Sequence, residues 1–128
     1  MAGRFLLDTN IVIAPLKPDP GVVERSRAEQ LYVSATVLGE LYFGAAKGAR
    51  AVSNESRIDR FAKGCDVLPC DQQTSRVFGQ IKVRLEALGR RIPENDIWIA
   101  ASAMQHGLTL VSRDAHFDAV EGLSLVSW

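Results

Sequence analysis

Phe5-Leu6-Leu7-Asp8-Thr9-Asn10 runs three apolar residues into an acid and two side chains suited to starting a helix. The same figure recurs down the chain. Leu31-Tyr32-Val33 ends at Ser34, and Asp66-Val67-Leu68 is closed by Pro69. Leu108-Thr109-Leu110-Val111 ends at Ser112-Arg113-Asp114, and Leu123-Ser124-Leu125-Val126 follows. Helical patterns fill the gaps. Val37, Leu38, Leu41, Tyr42 and Ala45 recur at helical spacing with Thr36 as the expected cap, and Ile58, Phe61 and Ala62 mark a weaker helix. Val77, Phe78, Ile81, Leu85 and Leu88 form a stripe that starts after Asp71 and stops at Gly89. Ile97, Ala100, Ala101 and Met104 form another, opening after Pro93 and ending at Gly107. Short apolar strands alternating with helices predict an α/β fold. The expected form is a three-layer α/β/α sandwich around a central, mainly parallel five-stranded sheet.

The chain has 128 residues, the length of one domain, so residues 1–128 are expected to form a single unit. Hydrophobic residues make up 47% of it, enough for a packed core. Fifteen Lys and Arg balance fifteen Asp and Glu, which excludes a basic whole-protein field as the means of holding nucleic acid. No apolar run reaches the roughly 18 residues of a membrane span, and the Met1-Ala2-Gly3-Arg4 start does not read as a signal peptide. A cytoplasmic protein with no membrane partner is the expectation. Cys65 and Cys70 lack a zinc-site pattern with His106 and His116, and read as reduced thiols. Neither GxxxxGK[ST] nor GxGxxG occurs.

The acids carry the functional signal. Asp8 and Asp114 fall at the carboxyl ends of two predicted strands, the edge at which open parallel sheets bind ligands. Asp96 lies in the first turn of a predicted helix, and Glu40 sits inside an apolar one. Each has a plain structural explanation: Asp8 and Asp114 as helix caps, Asp96 as a complement to the helix dipole, Glu40 as a partner of Lys47. Together on one edge, however, four carboxylates repel, and a divalent cation is the simplest relief. With oxygen ligands alone on offer, Mg2+ is expected, with Mn2+ able to substitute, rather than Zn2+.

Four segments also resemble a known family in order. Leu6-Leu7-Asp8-Thr9-Asn10-Ile11-Val12-Ile13 is similar to the opening strand and turn of PIN-domain ribonucleases, in particular the VapC-type toxins of toxin–antitoxin pairs. Gly39-Glu40-Leu41-Tyr42-Phe43-Gly44-Ala45, Pro93-Glu94-Asn95-Asp96-Ile97-Trp98-Ile99-Ala100-Ala101 and Leu110-Val111-Ser112-Arg113-Asp114 with Phe117 resemble the next three motifs. The resemblance implies a PIN-like fold and a Mg2+-dependent endoribonuclease, with Asp8, Glu40, Asp96 and Asp114 as catalytic and metal-binding acids. Thr9, Asn95 and Ser112 become hydrogen-bond partners behind those acids, and Asp118 a candidate extension of the cluster. It further implies an RNA substrate, a tRNA or rRNA, a VapB-type antitoxin as partner, and a homodimer. Lys47, Arg50, Arg90, Arg91 and Arg113 lie in segments near or leading to the acidic motifs; Arg113 is the best candidate for a phosphate contact and Arg90-Arg91 for a basic rim.

Two other readings stand beside this one. A non-catalytic metal-binding α/β switch or interaction module would carry acids at strand ends and leave RNA intact. A phosphatase-like enzyme would use Asp8 as a covalent nucleophile, but such enzymes want a second Asp two residues on, where this chain has Asn10. No Ser–His–Asp or Cys–His set is visible, since neither His106 nor His116 has a nucleophile beside it in sequence.

Overall fold

A computed structural model describes residues 3–16 and 30–128. The Met1-Ala2 start and most of the Pro15–Pro20 stretch lie outside the described residues. The strands are β1 (Arg4–Leu7), β2 (Gln30–Ser34), β3 (Asp66–Leu68), β4 (Thr109–Val111) and β5 (Leu125–Val126). The helices are α1 (Thr9–Leu16), α2 (Ala35–Lys47), α3 (Ala51–Lys63), α4 (Gln72–Ala87) and α5 (Glu94–His106), with a 3-10 turn at Ala115–Ala119. The strands form one five-stranded sheet in the order β3-β2-β1-β4-β5. All four pairings are parallel, so the expected "mainly parallel" sheet is parallel throughout the described residues.

This order locates a topological switch. The chain steps outward from β1 through β2 to β3, then crosses back to β4 on the other side of β1 and steps out to β5. With right-handed crossovers, α2 and α3 cover one face, and α4 and α5 cover the other. Crossovers therefore leave β1 and β4 in opposite directions and open a crevice at their carboxyl ends. The register pairs Leu6 with Leu110 and Leu7 with Val111, so the two chain segments emerge from the sheet side by side. Two further hydrogen bonds extend the ladder past the strands: Asp8 N–H to the Val111 carbonyl at 3.0 Å and Ser112 N–H to the Val126 carbonyl at 3.0 Å.

Burial explains why these residues make these elements. Leu6, Leu7, Leu110 and Val111 are buried, as central parallel strands covered on both faces require. The edge strand β3 is more exposed and ends before Pro69, which cannot donate to a ladder. Helix α5 is buried around most of its circumference through Ile97, Ile99, Ala100, Ala101, Ser102 and Ala103. Its apolar surface is thus broader than the expected stripe, and Ala103 takes the buried place that Met104 was expected to hold. Small side chains let α5 lie close against the sheet. Its C-cap, Gly107, adopts φ 63°, which glycine reaches without a Cβ penalty. The N-cap of α2 is Ser34, whose hydroxyl accepts the Val37 N–H at 3.2 Å, and not Thr36. Thr36 lies within the first turn, its hydroxyl 3.5 Å from the Cys70 sulfur.

Candidate active site

Asp8 follows β1 and is only 5% exposed. One of its oxygens accepts the Thr9 N–H at 2.8 Å, the other the Ser112 hydroxyl at 2.7 Å. Burial pushes its pKa above the ordinary 3.8, and the charges of Asp96 and Glu40 push the same way against those two hydrogen bonds. Glu40, half-buried in α2, accepts the Thr9 hydroxyl at 2.6 Å. Thr9 therefore ties the first acid to the second, one through its amide and the other through its hydroxyl.

Asp96 stands in the first turn of α5 with its side chain 14% exposed. Burial raises its pKa as well, opposed by a hydrogen bond to His116 and reinforced by the charges of Asp114 and Glu40. Asp114 caps the 3-10 turn by accepting the His116 N–H at 2.9 Å, and its own N–H donates to the Ser112 hydroxyl at 3.0 Å. The capping role allowed for Asp114 is thus real and coexists with membership of the cluster. Ser112 is the central brace, binding the side chain of Asp8 and the backbone of Asp114 with one hydroxyl.

The structure brings these four acids to the crevice at the ends of β1 and β4, and adds a residue that sequence reasoning set aside. Nδ1 of His116 lies 3.0 Å from Oδ2 of Asp96 and 3.1 Å from Oδ1 of Asp114. Single donor atoms from Asp96, Asp114 and His116 all lie within 4.8 Å of one another. An imidazole nitrogen thus stands beside the oxygens that sequence reasoning singled out. In sequence His116 has no nucleophile beside it to mark it. The Asp-Ala-His spacing brings the ring to its own cap, Asp114, but nothing local brings it to Asp96.

Other expected residues fall elsewhere. Asn95 is exposed and makes no hydrogen bond to any of the four acids, because consecutive helix positions point about 100° apart and Asp96 takes the crevice side. Arg113 donates from Nε to the Trp128 carbonyl at 2.8 Å and from its backbone to the Asn10 side chain at 3.3 Å. Asp118 is exposed. Lys47 lies over the Phe43 ring at 4.4 Å rather than on Glu40. Arg90 and Arg91 line a groove of about 840 Å3 with Lys82, Glu86, Glu94 and Ile97, just before the helix that carries Asp96. Both cysteines are free, and burial beside Asp66 pushes the Cys65 thiol up to about 11, so it stays protonated and unreactive.

Convergent carboxylates beside an imidazole, with Asp8 and Asp96 raised by burial and by neighbouring charge, fit a divalent cation. A stability test follows. Asp8 and Asp96 have raised values in the fold, so the fold favours their protonated forms. Their contribution is complete below the ordinary 3.8 and is lost as pH rises through the raised values. In EDTA, melting temperature is expected to drop between pH 4 and neutrality by more in wild type than in Asp8→Asn, and a divalent cation should remove the difference. Parallel pH profiles for the two proteins in EDTA would contradict this.

Residues 5–123 match the PIN domain. The chain is 36% identical to Ribonuclease VapC2 of Haemophilus influenzae over 98% of each chain. It is 35% identical, over 98% of both, to the tRNA(fMet)-specific endonuclease VapC of Shigella flexneri. Among solved structures it is similar to DNA-bound VapBC from Salmonella typhimurium, with a TM-score of 0.92 and 28% identity over 100% of this chain and 99% of that one.

Proposed function

The chain belongs to the PIN-domain family, and from that premise we propose that it is a metal-dependent endoribonuclease, the toxin of a toxin–antitoxin pair. The observation that carries this reading is the convergence of Asp8, Glu40, Asp96 and Asp114 on the crevice where β1 and β4 end. These acids would hold the cation, Mg2+ with Mn2+ able to replace it. When bound, such an ion supplies the Lewis acidity that makes water a nucleophile near neutral pH and offsets charge on the phosphate.

The chain's own residues prepare that site. Ser112 and Thr9 fix the two oxygens of Asp8, and each oxygen keeps a lone pair for a further partner. Thr9 also fixes Glu40. These hydroxyls orient carboxylates that would otherwise turn away from one another. Arg113, between Ser112 and Asp114, is the cation we propose for a phosphate contact, with its guanidinium oriented by the Trp128 carbonyl. Arg90 and Arg91 supply a basic rim.

The substrate class is RNA, and tRNA is the form favoured by the name of the Shigella flexneri relative. A VapB-type antitoxin is the proposed partner, by likeness to the Salmonella typhimurium complex. A single domain over residues 1–128, a homodimer and a cytoplasmic location complete the proposal. No helix among the described residues is long and apolar enough to cross a membrane. The deciding experiment incubates purified protein with bulk tRNA in EDTA, then with added Mg2+ or Mn2+. Cleavage should be absent in EDTA and restored by either ion. Intact RNA at high protein concentration with the cation bound would make the chain a binding module instead.

A further inference from the structure

We propose that His116 is a direct ligand of the cation, so that the centre is a mixed imidazole–carboxylate site that prefers Mn2+ over Mg2+. The inference rests on the metal-dependent reading above and adds a donor that the four acids do not supply. Its basis is geometric. Ligands bonded at ~2.1 Å in an octahedral shell leave adjacent donor atoms about 3.0 Å apart. Nδ1 of His116 lies 3.0 Å from an oxygen of Asp96 and 3.1 Å from an oxygen of Asp114, the spacing of one vertex next to two others.

The two carboxylates come from different elements, α5 and the 3-10 turn, so the ring sits between them by tertiary placement rather than by local sequence. Its backbone is fixed too, because the His116 N–H is bonded to the Asp114 side chain at 2.9 Å. The ring is also reachable, with its side chain 49% exposed. Nδ1 faces one oxygen of each carboxylate. In the neutral tautomer that carries its hydrogen on Nε2, the Nδ1 lone pair points toward the space those oxygens share. An imidazole among carboxylates shifts preference from Mg2+, which favours oxygen and water, toward first-row transition ions.

Pulsed EPR of the full chain loaded with Mn2+ reads this directly. The wild type should show coupling of Mn2+ to a directly bonded 14N, replaced by 15N coupling after labelling with 15N-histidine. His116→Gln should lose the coupling. Its Mn2+ affinity should fall at least about tenfold, while its Mg2+ affinity changes by about threefold or less. Bound Mn2+ with no histidine coupling would overturn the inference and leave the metal-dependent ribonuclease reading in place. Coupling that persists in His116→Gln would assign the nitrogen to His106, the other histidine, and would also overturn it. Failure of wild type to bind Mn2+ or Mg2+ at all would remove the metal reading on which the inference stands.

Discussion

Asp8→Asn is expected to reduce RNA cleavage at least a hundredfold while the protein stays folded. The side chain is 5% exposed, yet it is the acid at the carboxyl end of the central strand, beside the Asp114 turn and within reach of the charges of Asp96 and Glu40. The amide keeps the size and the planar shape. Its oxygen still accepts the Thr9 N–H, and its nitrogen faces the Ser112 hydroxyl, which has a lone pair to receive it. What is lost is a negative charge in a poorly hydrated place, where a cation's affinity depends most on it. A loss of a few kcal/mol of transition-state stabilisation corresponds to about 10²-fold or more in rate. Because burial disfavours the ionised carboxylate, the cation-free variant should melt no lower than wild type at neutral pH. Single-turnover cleavage and melting temperature, measured on one preparation, test both halves. Cleavage within threefold of wild type would remove Asp8 from the mechanism.

The sheet and its acids were legible because their signals are local and repeated. Each strand is a short apolar run ended by a polar or turn residue, and Asp8 and Asp114 are separated from paired strand residues by no more than a few positions. Periodicity placed α4 well, since Asp71 and Thr74 form a capping box at its start and Gly89 turns at φ 66° just beyond its end. What was not legible depended on distance in space. Ser34 and Thr36 both carry hydroxyls suited to a cap, and the choice rests on where β2 stops pairing with β3. Asn95 adjoins Asp96 in sequence but is exposed, because a helix turns neighbours about 100° apart. The orientation of Arg113 depends on Trp128, fifteen residues on, whose carbonyl accepts from its Nε. His116 is the clearest case. Its contact with Asp96 joins a turn to a helix twenty residues earlier, and no local pattern encodes that approach.

Phe117→Ala tests how far the site depends on the core beneath it. Two phenylalanines set the comparison. Phe117 is 1% exposed and belongs to the core cluster, whereas Phe43 on α2 is 65% exposed and touches Lys47. Truncating a buried Phe removes its transfer free energy and leaves a cavity, at a cost of about 3–5 kcal/mol. Truncating the exposed one should cost less than about 1 kcal/mol, since only a surface cation–π contact is lost. In melting temperature, the first loss corresponds to roughly 10–20 °C for a chain of this size. Phe117 is also the residue by which the 3-10 turn is anchored, directly after His116 and three positions after Asp114. Loosening that anchor releases the ring from its place between Asp96 and Asp114. Where Phe117→Ala remains folded at low temperature, its Mn2+ affinity should therefore fall together with its stability, while Phe43→Ala keeps both. Urea unfolding gives the stability difference, and Mn2+ titration at a temperature well below both transitions gives the affinity. A Phe117→Ala protein within about 1 kcal/mol of wild type would mean that the turn is held by its cap alone. In that event the hydrogen bonds of Asp114 and Ser112, rather than core packing, would set the position of the acids.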